Sequence, residues 1–234
     1  MASKYKEISE KIEEEIKSGK YDETKKLPTE EELMKKYAVS RTTIRKSIAI
    51  LETKGYIYQV QGSGIFIREA ALKDYLSLEN LKGLTRDFPN KKIKSKLVKL
   101  DIVKADKELS EKMKCTIGTD LYFVIRIRDV DNEPFAIEYT YFNKDIIPYL
   151  NKDITDKSIY SYILNDLKLN IGFADKIIYA DKLNLEDAEI LNLKKDDPAL
   201  IIENTVFLTN GEIFEVSKVV HNYKNAKLLK SANF

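Results

Sequence analysis

The segment LPTEEELMKKYAVSRTTIRKSIAIL, residues 27–51, carries two helix-start signals separated by no more than a short helix. Thr29 stands as an N-cap, Glu32 three residues on completes a capping box, and Pro28 sits just outside. Ser40 is placed to cap the next helix. Leu33, Met34 and Tyr37 supply the inward face of the first helix and Ile44, Ile48 and Leu51 that of the second, leaving Ala38-Val39 for the turn. Upstream, Tyr5, Ile8, Ile12 and Ile16 recur at three and four residues, so a helix runs from Tyr5 to about Ser18 and stops at Gly19. Downstream, YIYQV (56–60) and IFI (65–67) flank Gln61-Gly62-Ser63-Gly64, a glycine-bearing tight turn. Two helices joined by a tight turn and followed by a hairpin spell a winged helix-turn-helix.

A formal net charge of +2 hides an uneven distribution. Positions 35–68 hold Lys35, Lys36, Arg41, Arg45, Lys46, Lys54 and Arg68 against Glu52 alone, a local +6. Such a block is the electrostatic footprint of a polyanion binder, although charge alone leaves open a solvated face on a lysine-rich protein. In a helix-turn-helix the start of the second helix enters the major groove, about 12 Å wide, and meets base edges. Arg41 and Arg45 lie one turn apart on one face, and the planar fork of arginine matches guanine O6 and N7. The hydroxyls of Ser40, Thr42 and Thr43 suit phosphate oxygens. Gln61 and Gly62 in the wing would approach the neighbouring minor groove or the backbone. The expected partner is double-stranded DNA.

The chain of 234 residues is long enough for two small domains, and its 43% hydrophobic and 33% charged composition suits a globular protein. No apolar run approaches the roughly 20 residues a membrane helix needs. The N-terminus lacks the apolar core of a signal peptide, and a lone Cys115 excludes an internal disulfide, so the expected setting is cytoplasmic. Residues 69–82 read as a polar linker between a DNA-binding domain, 1–68, and a second domain, 83–234. In the second, KSKLVKLDIVKA (94–105) and LYFVIRIRDV (121–130) read as strands, and Asp131-Asn132 turns into EPFAIEYTYF (133–142). Ser158–Leu167 and Leu185–Leu193 read as helices. IIYADKL, ALIIENTVFLT and EIFEVSKVVH read as strands, with Asn210-Gly211 as a hairpin signal between the last two. The expected class is α+β.

Strand alternation puts Tyr122, Val124, Arg126 and Arg128 on one face of LYFVIRIRDV. Two arginines at i and i+2, roughly 7 Å apart, can clamp one phosphate or carboxylate. Ser158 opens a helix whose N–H groups favour an anion, and Tyr160 adds a hydroxyl. Glu138, after the turn, could accept from sugar hydroxyls or an amine. Each residue also has a plain reading: a solvent-facing arginine, a helix cap, a balancing charge. One histidine, His221, one cysteine, no zinc spacing, no nucleophile elbow and no phosphate-cradling glycine loop leave an enzyme poorly supported. No catalytic residue, metal or cofactor is expected.

The motifs LPTEEEL, VSRTTIRKSIAIL and GSGIF resemble the GntR family of bacterial transcription regulators over roughly the first 68 residues. The resemblance implies that Arg41, Thr42, Arg45 and Gly62 contact DNA. Glu31 stands where many members carry a DNA-contacting arginine, and Ile65 replaces a common wing threonine. GLT (83–85), RIRDVDNEPFAIE (126–138), SIYSYI (158–163) and GEIFEVS (211–217) resemble the UTRA effector domain of the HutC subfamily. That implies a chorismate lyase-like fold with a mainly antiparallel sheet, which senses a small molecule and mediates dimerisation. It also places Thr85, Arg86, Arg126, Arg128, Glu138, Ser158, Tyr160 and Glu215 at ligand positions, with a sugar phosphate as the expected effector. The subfamily's closing motif appears here as VVHNYKNAKL. The implied function is a homodimeric, ligand-responsive repressor on a palindromic operator of a sugar-uptake or carbohydrate-metabolism operon. A constitutive DNA-binding dimer is the alternative.

Overall fold

The computed structural model describes residues 4–69, 75–78, 84–88 and 90–230; the side chains of Ser77, Thr85 and Arg86 are outside this set. In chain order the elements of the first half are α1 (Lys4–Lys17), α2 (Glu30–Tyr37), α3 (Arg41–Thr53), β1 (Ile57–Val60), β2 (Gly64–Ile67), β3 (Leu76–Ser77) and α4 (Leu84–Asp87). There follow β4 (Ile93–Lys104), α5 (Lys107–Met113), β5 (Asp120–Val130), β6 (Glu133–Asn143), α6 (Lys152–Thr155) and α7 (Ile159–Ser161). A π-helical turn (Tyr162–Asp166), β7 (Ile171–Lys182), α8 (Leu185–Ile190), β8 (Pro198–Leu208), β9 (Ile213–Asn222) and β10 (Leu228–Leu229) complete the chain. Two compact units result: one gathers the chain to residue 80 with 87–90 and the end from 228, the other holds 81–86 and 91–227.

In the first unit the apolar stripe of α1 (Ile8, Ile12, Ile16) packs with Leu33 of α2, Ile44, Ile48 and Leu51 of α3, and Ile57, Ile65 and Ile67 of the hairpin. Both expected caps form. Thr29 Oγ1 accepts from Glu32 N–H, and Glu32 Oε2 accepts from Thr29 N–H at 2.8 Å. Ser40 Oγ accepts from Thr43 N–H at 3.4 Å. Between the helices Ala38 takes the left-handed conformation (φ 51°), which lets the chain turn without a glycine. Buried Glu13 is satisfied by Lys17 (3.2 Å), Lys54 (2.9 Å) and the Tyr56 hydroxyl (3.0 Å). At the wing tip Gly62 has φ +74°. Much of the expected linker lies outside the described residues; within it, β3 pairs in parallel with β10.

The second unit is built on a six-stranded sheet in the order β4-β5-β6-β9-β8-β7, antiparallel at every pairing. Asp131 and Asn132 both have positive φ (53° and 69°), the geometry a two-residue hairpin turn requires. One sheet face packs Tyr122, Val124, Phe142, Val206 and Phe214 against Ile159 and Ile163 from the α7 region. On the other face Ala188 of α8 and the adjoining Leu191 pack against Ile137, Ile201 and Val220, while Met113 of α5 packs near Leu121 and Val216. Several details differ from the sequence reading, among them the absence from it of α6 and β10. The helix expected over Ser158–Leu167 is one α-turn that runs into a π-turn closed by Leu167 N–H on Tyr162 O at 3.0 Å. β7 begins at Ile171 rather than near Ile177, and α5 was not anticipated.

Thr29→Ala removes one half of the reciprocal cap. It should lower stability by about 1 kcal/mol, read from the urea midpoint of far-UV circular dichroism, whereas Ala at the exposed Thr42 should shift it by less.

Candidate functional site

At the start of α3, Arg41, Thr42 and Arg45 are exposed, as are Gln61 and Gly62 at the wing tip. Burial of Ile44 and Ile48 turns position 42 away from the core and leaves 45 on its flank, while Arg41, on the stripe of Ile44, is exposed because it opens the helix. Ser40 Oγ lies 3.0 Å from Thr43 Oγ1, so these two hydroxyls are engaged with each other and with the cap. The aromatic rings of Tyr58 and Phe66 stack in the hairpin at 5.5 Å, and Lys26 Nζ lies 5.2 Å from the Phe66 ring centroid. This stiffens the wing behind its exposed turn.

In the second unit a cavity of about 550 Å³ is lined by Arg126 and Arg128 of β5, Glu138 of β6, Ser95 of β4, and Ser158 and Tyr160 of the α7 region. The strand register places Arg126 directly opposite Glu138. Arg126 donates to Glu138 Oε2 at 2.6 Å and to the Thr155 carbonyl at 3.0 Å. Arg128 donates to Glu138 Oε1 at 2.9 Å, while its buried Nε has no partner among the described residues. Burial pushes the Glu138 carboxyl up, but the adjoining Arg126 and Arg128 charges outweigh it and hold its pKa below the usual value. For Arg128, burial outweighs the pull of Glu138 and lowers its pKa.

Ser158 caps the α-turn, accepting from Ser161 N–H at 3.1 Å. The Tyr160 hydroxyl donates to Glu215 Oε2 at 2.8 Å. Glu215 is buried and also accepts from Ser217 Oγ at 3.0 Å, which in turn accepts from Asn204 Nδ2 at 3.1 Å. Burial raises the Glu215 carboxyl to about 7 against the lowering effect of its two hydrogen bonds. Glu215 thus backs the cavity wall through Tyr160 and is not itself among the lining residues. His221 is buried near Phe135, with its pKa lowered to about 4 chiefly by burial.

Five of the eight expected ligand positions therefore converge on one cavity: Arg126, Arg128, Glu138, Ser158 and Tyr160. Thr85 and Arg86 are on α4, and their side chains lie outside the described set, although Leu84 beside them lines the cavity. The sequence reading missed Lys94, Ser95, Asp156 and Lys157. Ser95 could have been found from strand pairing, since it sits opposite Arg128. Lys94 alternates with Ser95 and donates to Asn132 Oδ1 at 2.7 Å; the other charged residues of the lining are Arg126, Arg128 and Lys157 against Glu138 and Asp156, an excess of one positive charge. Among the described residues no helix is long and apolar enough to cross a membrane.

A winged helix-turn-helix with outward arginines, in one chain with a sheet domain holding a cationic cavity, has the layout of a transcription regulator with an attached sensing domain. Residues 4–67 match the family described as bacterial regulatory proteins, gntR family, and residues 90–227 match the UTRA domain. The chain belongs to the gntR family, in its UTRA-bearing HutC subfamily, and is a DNA-binding transcription regulator, not an enzyme. It is 39% identical over 230 residues to the HTH-type transcriptional regulator YydK of Bacillus subtilis (strain 168), covering 98% of each chain. The crystal structure of YydK superposes with a TM-score of 0.81 at 37% identity, over 99% of this chain and 100% of that one. The HTH-type transcriptional regulator GmuR of the same organism is 32% identical over 224 residues, 94% of each chain. The effector-binding domain of the B. subtilis trehalose repressor superposes at 28% identity with a TM-score of 0.54, over 60% of this chain and 98% of that one.

An acid whose folded pKa exceeds its unfolded value binds extra protons when folded, so stability falls as pH rises between the two. For Glu215 that window runs from 4.5 to about 7. His221 has the opposite sign, since its lowered pKa makes stability fall as pH drops from 6.5 towards about 4. The two therefore offset each other in mildly acidic solution. Glu215→Gln should remove one side of this balance. Relative to the parent, the variant should lose about 3 kcal/mol of stability between pH 7 and 4.5, measured by urea unfolding across the range.

Proposed function

We propose that the chain is a homodimeric cytoplasmic repressor of a sugar-uptake or carbohydrate-metabolism operon. On this reading residues 1–68 bind a palindromic operator, 69–82 connect, and 83–234 bind a small anionic effector and dimerise. Arg41, Thr42 and Arg45 read or grip DNA from the exposed face of α3, with Ser40 and Thr43 at its start and Gln61 and Gly62 in the wing. Two recognition helices in a dimer would meet half-sites about one DNA turn apart. Effector binding favours a state that cannot engage both half-sites, which is how a ligand with unequal affinity for two states moves an equilibrium.

The observation that carries the effector reading is the pair of cavity-lining guanidinia, Arg126 and Arg128, that share the single carboxylate of Glu138. Among the described residues the buried Arg128 Nε has no partner, which is costly, and turning that guanidinium towards a bound phosphate or carboxylate would remove the cost. The Arg126–Glu138–Arg128 cluster carries one net positive charge and so supports an anion. Glu138 leaves the guanidinia oriented and partly neutralised, which suits a ligand that brings both a phosphate and hydroxyls. A sugar phosphate has both, and the name of the trehalose repressor supports a carbohydrate.

Thermal-shift screening against sugar phosphates tests this. A ligand at 100 times its Kd should add about 2.7 kcal/mol of stability, and Arg128→Ala should abolish the shift. The same ligand should release the parent protein from a DNA fragment of its own upstream region. If no sugar phosphate shifts the protein and none releases DNA, the constitutive dimer replaces this reading. Arg45→Ala should weaken binding to that fragment by about 1–3 kcal/mol, with a smaller loss on random DNA in the same gel-shift titration.

A further inference from the structure

Without DNA, the two guanidinia at the start of α3 already have acidic partners. Arg45 Nε donates to both carboxylate oxygens of Glu30, at 2.9 and 3.2 Å. Arg41 Nη2 donates to Glu31 Oε1 at 3.3 Å, and Arg41 Nε lies 3.8 Å from Glu30 Oε2. Two cations and two anions thus cancel on the edge that would meet the duplex. The first turn of α2 does not need this arrangement for its own capping. Glu32, the third acid there, closes the capping box and supplies the negative charge that a helix N-terminus favours. Glu30 and Glu31 instead reach across to the neighbouring helix.

A carboxylate offers a guanidinium two oxygens in much the same geometry as a phosphate does. The pairs are also open to solvent: Glu31 is 73% exposed and Arg41 53%. Exposed pairs of this kind are weak and exchange readily. They can be displaced, but displacement leaves a carboxylate beside a phosphate.

We propose that Glu30 and Glu31 form an acidic clasp that occupies the recognition arginines off DNA and competes with phosphate for them. The clasp suppresses binding to random sequence, and DNA holds the protein only where its contacts draw the guanidinia away from the carboxylates. It also makes the salt dependence of binding shallower than the number of basic side chains implies, because arginines already neutralised displace fewer counterions. This inference rests on the reading that Arg41 and Arg45 touch DNA.

The test is binding of the full chain to a random-sequence duplex over a range of salt concentrations, comparing Glu31→Gln, Arg41→Ala, the double variant and Glu52→Gln. Glu52 lies in the same unit and accepts a hydrogen bond from Gln59, so it controls for the loss of one negative charge. Glu31→Gln should tighten binding about three- to tenfold and steepen the log–log salt slope by roughly one, well beyond the effect of Glu52→Gln. In the Arg41→Ala background the gain should shrink to that of the control. If Glu31→Gln matches Glu52→Gln, or its gain survives without Arg41, the clasp is overturned while the DNA contact stands. If Arg41→Ala leaves binding unchanged in the Glu31→Gln background, where no Glu31 carboxylate holds the guanidinium, both the contact and the clasp fall.

Discussion

Opposite Arg126 on the neighbouring strand sits Glu138, and the cavity depends on that register. Side chains alternate along a strand, so a slip of one residue would carry both guanidinia to the far face, among the apolar contacts of α5 and α8. The two-residue turn at Asp131-Asn132 and a one-residue bulge at Phe135, between the Asp129–Pro134 and Arg128–Ala136 pairs, together set the register, and the pair of ion contacts at 2.6 and 2.9 Å holds it. Charges this deeply placed cost several kcal/mol each to desolvate, and mutual attraction offsets that only with good geometry. One carboxylate between two guanidinia accepts a hydrogen bond from each. The leftover Arg128 Nε is where the protein's own groups run out.

Much of this was legible before any coordinates because the informative signals were local. Thr29 with Glu32, Ser40, and the Asp131-Asn132 and Asn210-Gly211 turns each act within a few residues. Alternation in LYFVIRIRDV likewise needs no knowledge of partners to put Arg126 and Arg128 on one face. What escaped depends on distant packing. The α5 helix has a cap, Asp106 accepting from Leu109 N–H at 2.8 Å, but its seven residues are too few for a periodic stripe to stand out. The start of β7, GFADK, lies on an edge strand with Phe173 exposed, so burial imposes no clear alternation there. The π-turn adds a residue to a helical turn without changing the residue types that form it. Asp156 and Lys157 join the cavity lining from a segment that only the tertiary fold brings there.

Glu31 shows the same limit in the first unit. Its place in the second helix marked it as a departure from the family pattern. Sequence spacing could not show that it lies within reach of Arg41, ten positions away on the next helix. The left-handed Ala38 and the burial of Leu33 and Ile44 bring the starts of α2 and α3 together. Glu30 and Glu31 in the first turn of α2 thereby become partners of the arginines.

Solvent exposure separates the electrostatics of the two units. The arginine pairs of α3 stand in water and are screened over about 8 Å at physiological ionic strength, so salt adjusts them directly. Arg126, Arg128 and Glu138 are largely removed from solvent, where screening is much weaker. A protein arranged this way can vary its hold on a polyanion with ionic conditions while its cavity chemistry stays constant. Protons act on the second unit instead, because Glu215 and His221 are buried and titrate away from their usual ranges. Glu215 accepts from the cavity-lining Tyr160 hydroxyl on Oε2 and from Ser217 on Oε1, so a proton on either oxygen turns one of these accepted hydrogen bonds into a donated one. The wall around the charged cluster is therefore a hydrogen-bonded network whose polarity responds to pH, even though the guanidinia it surrounds keep their charge.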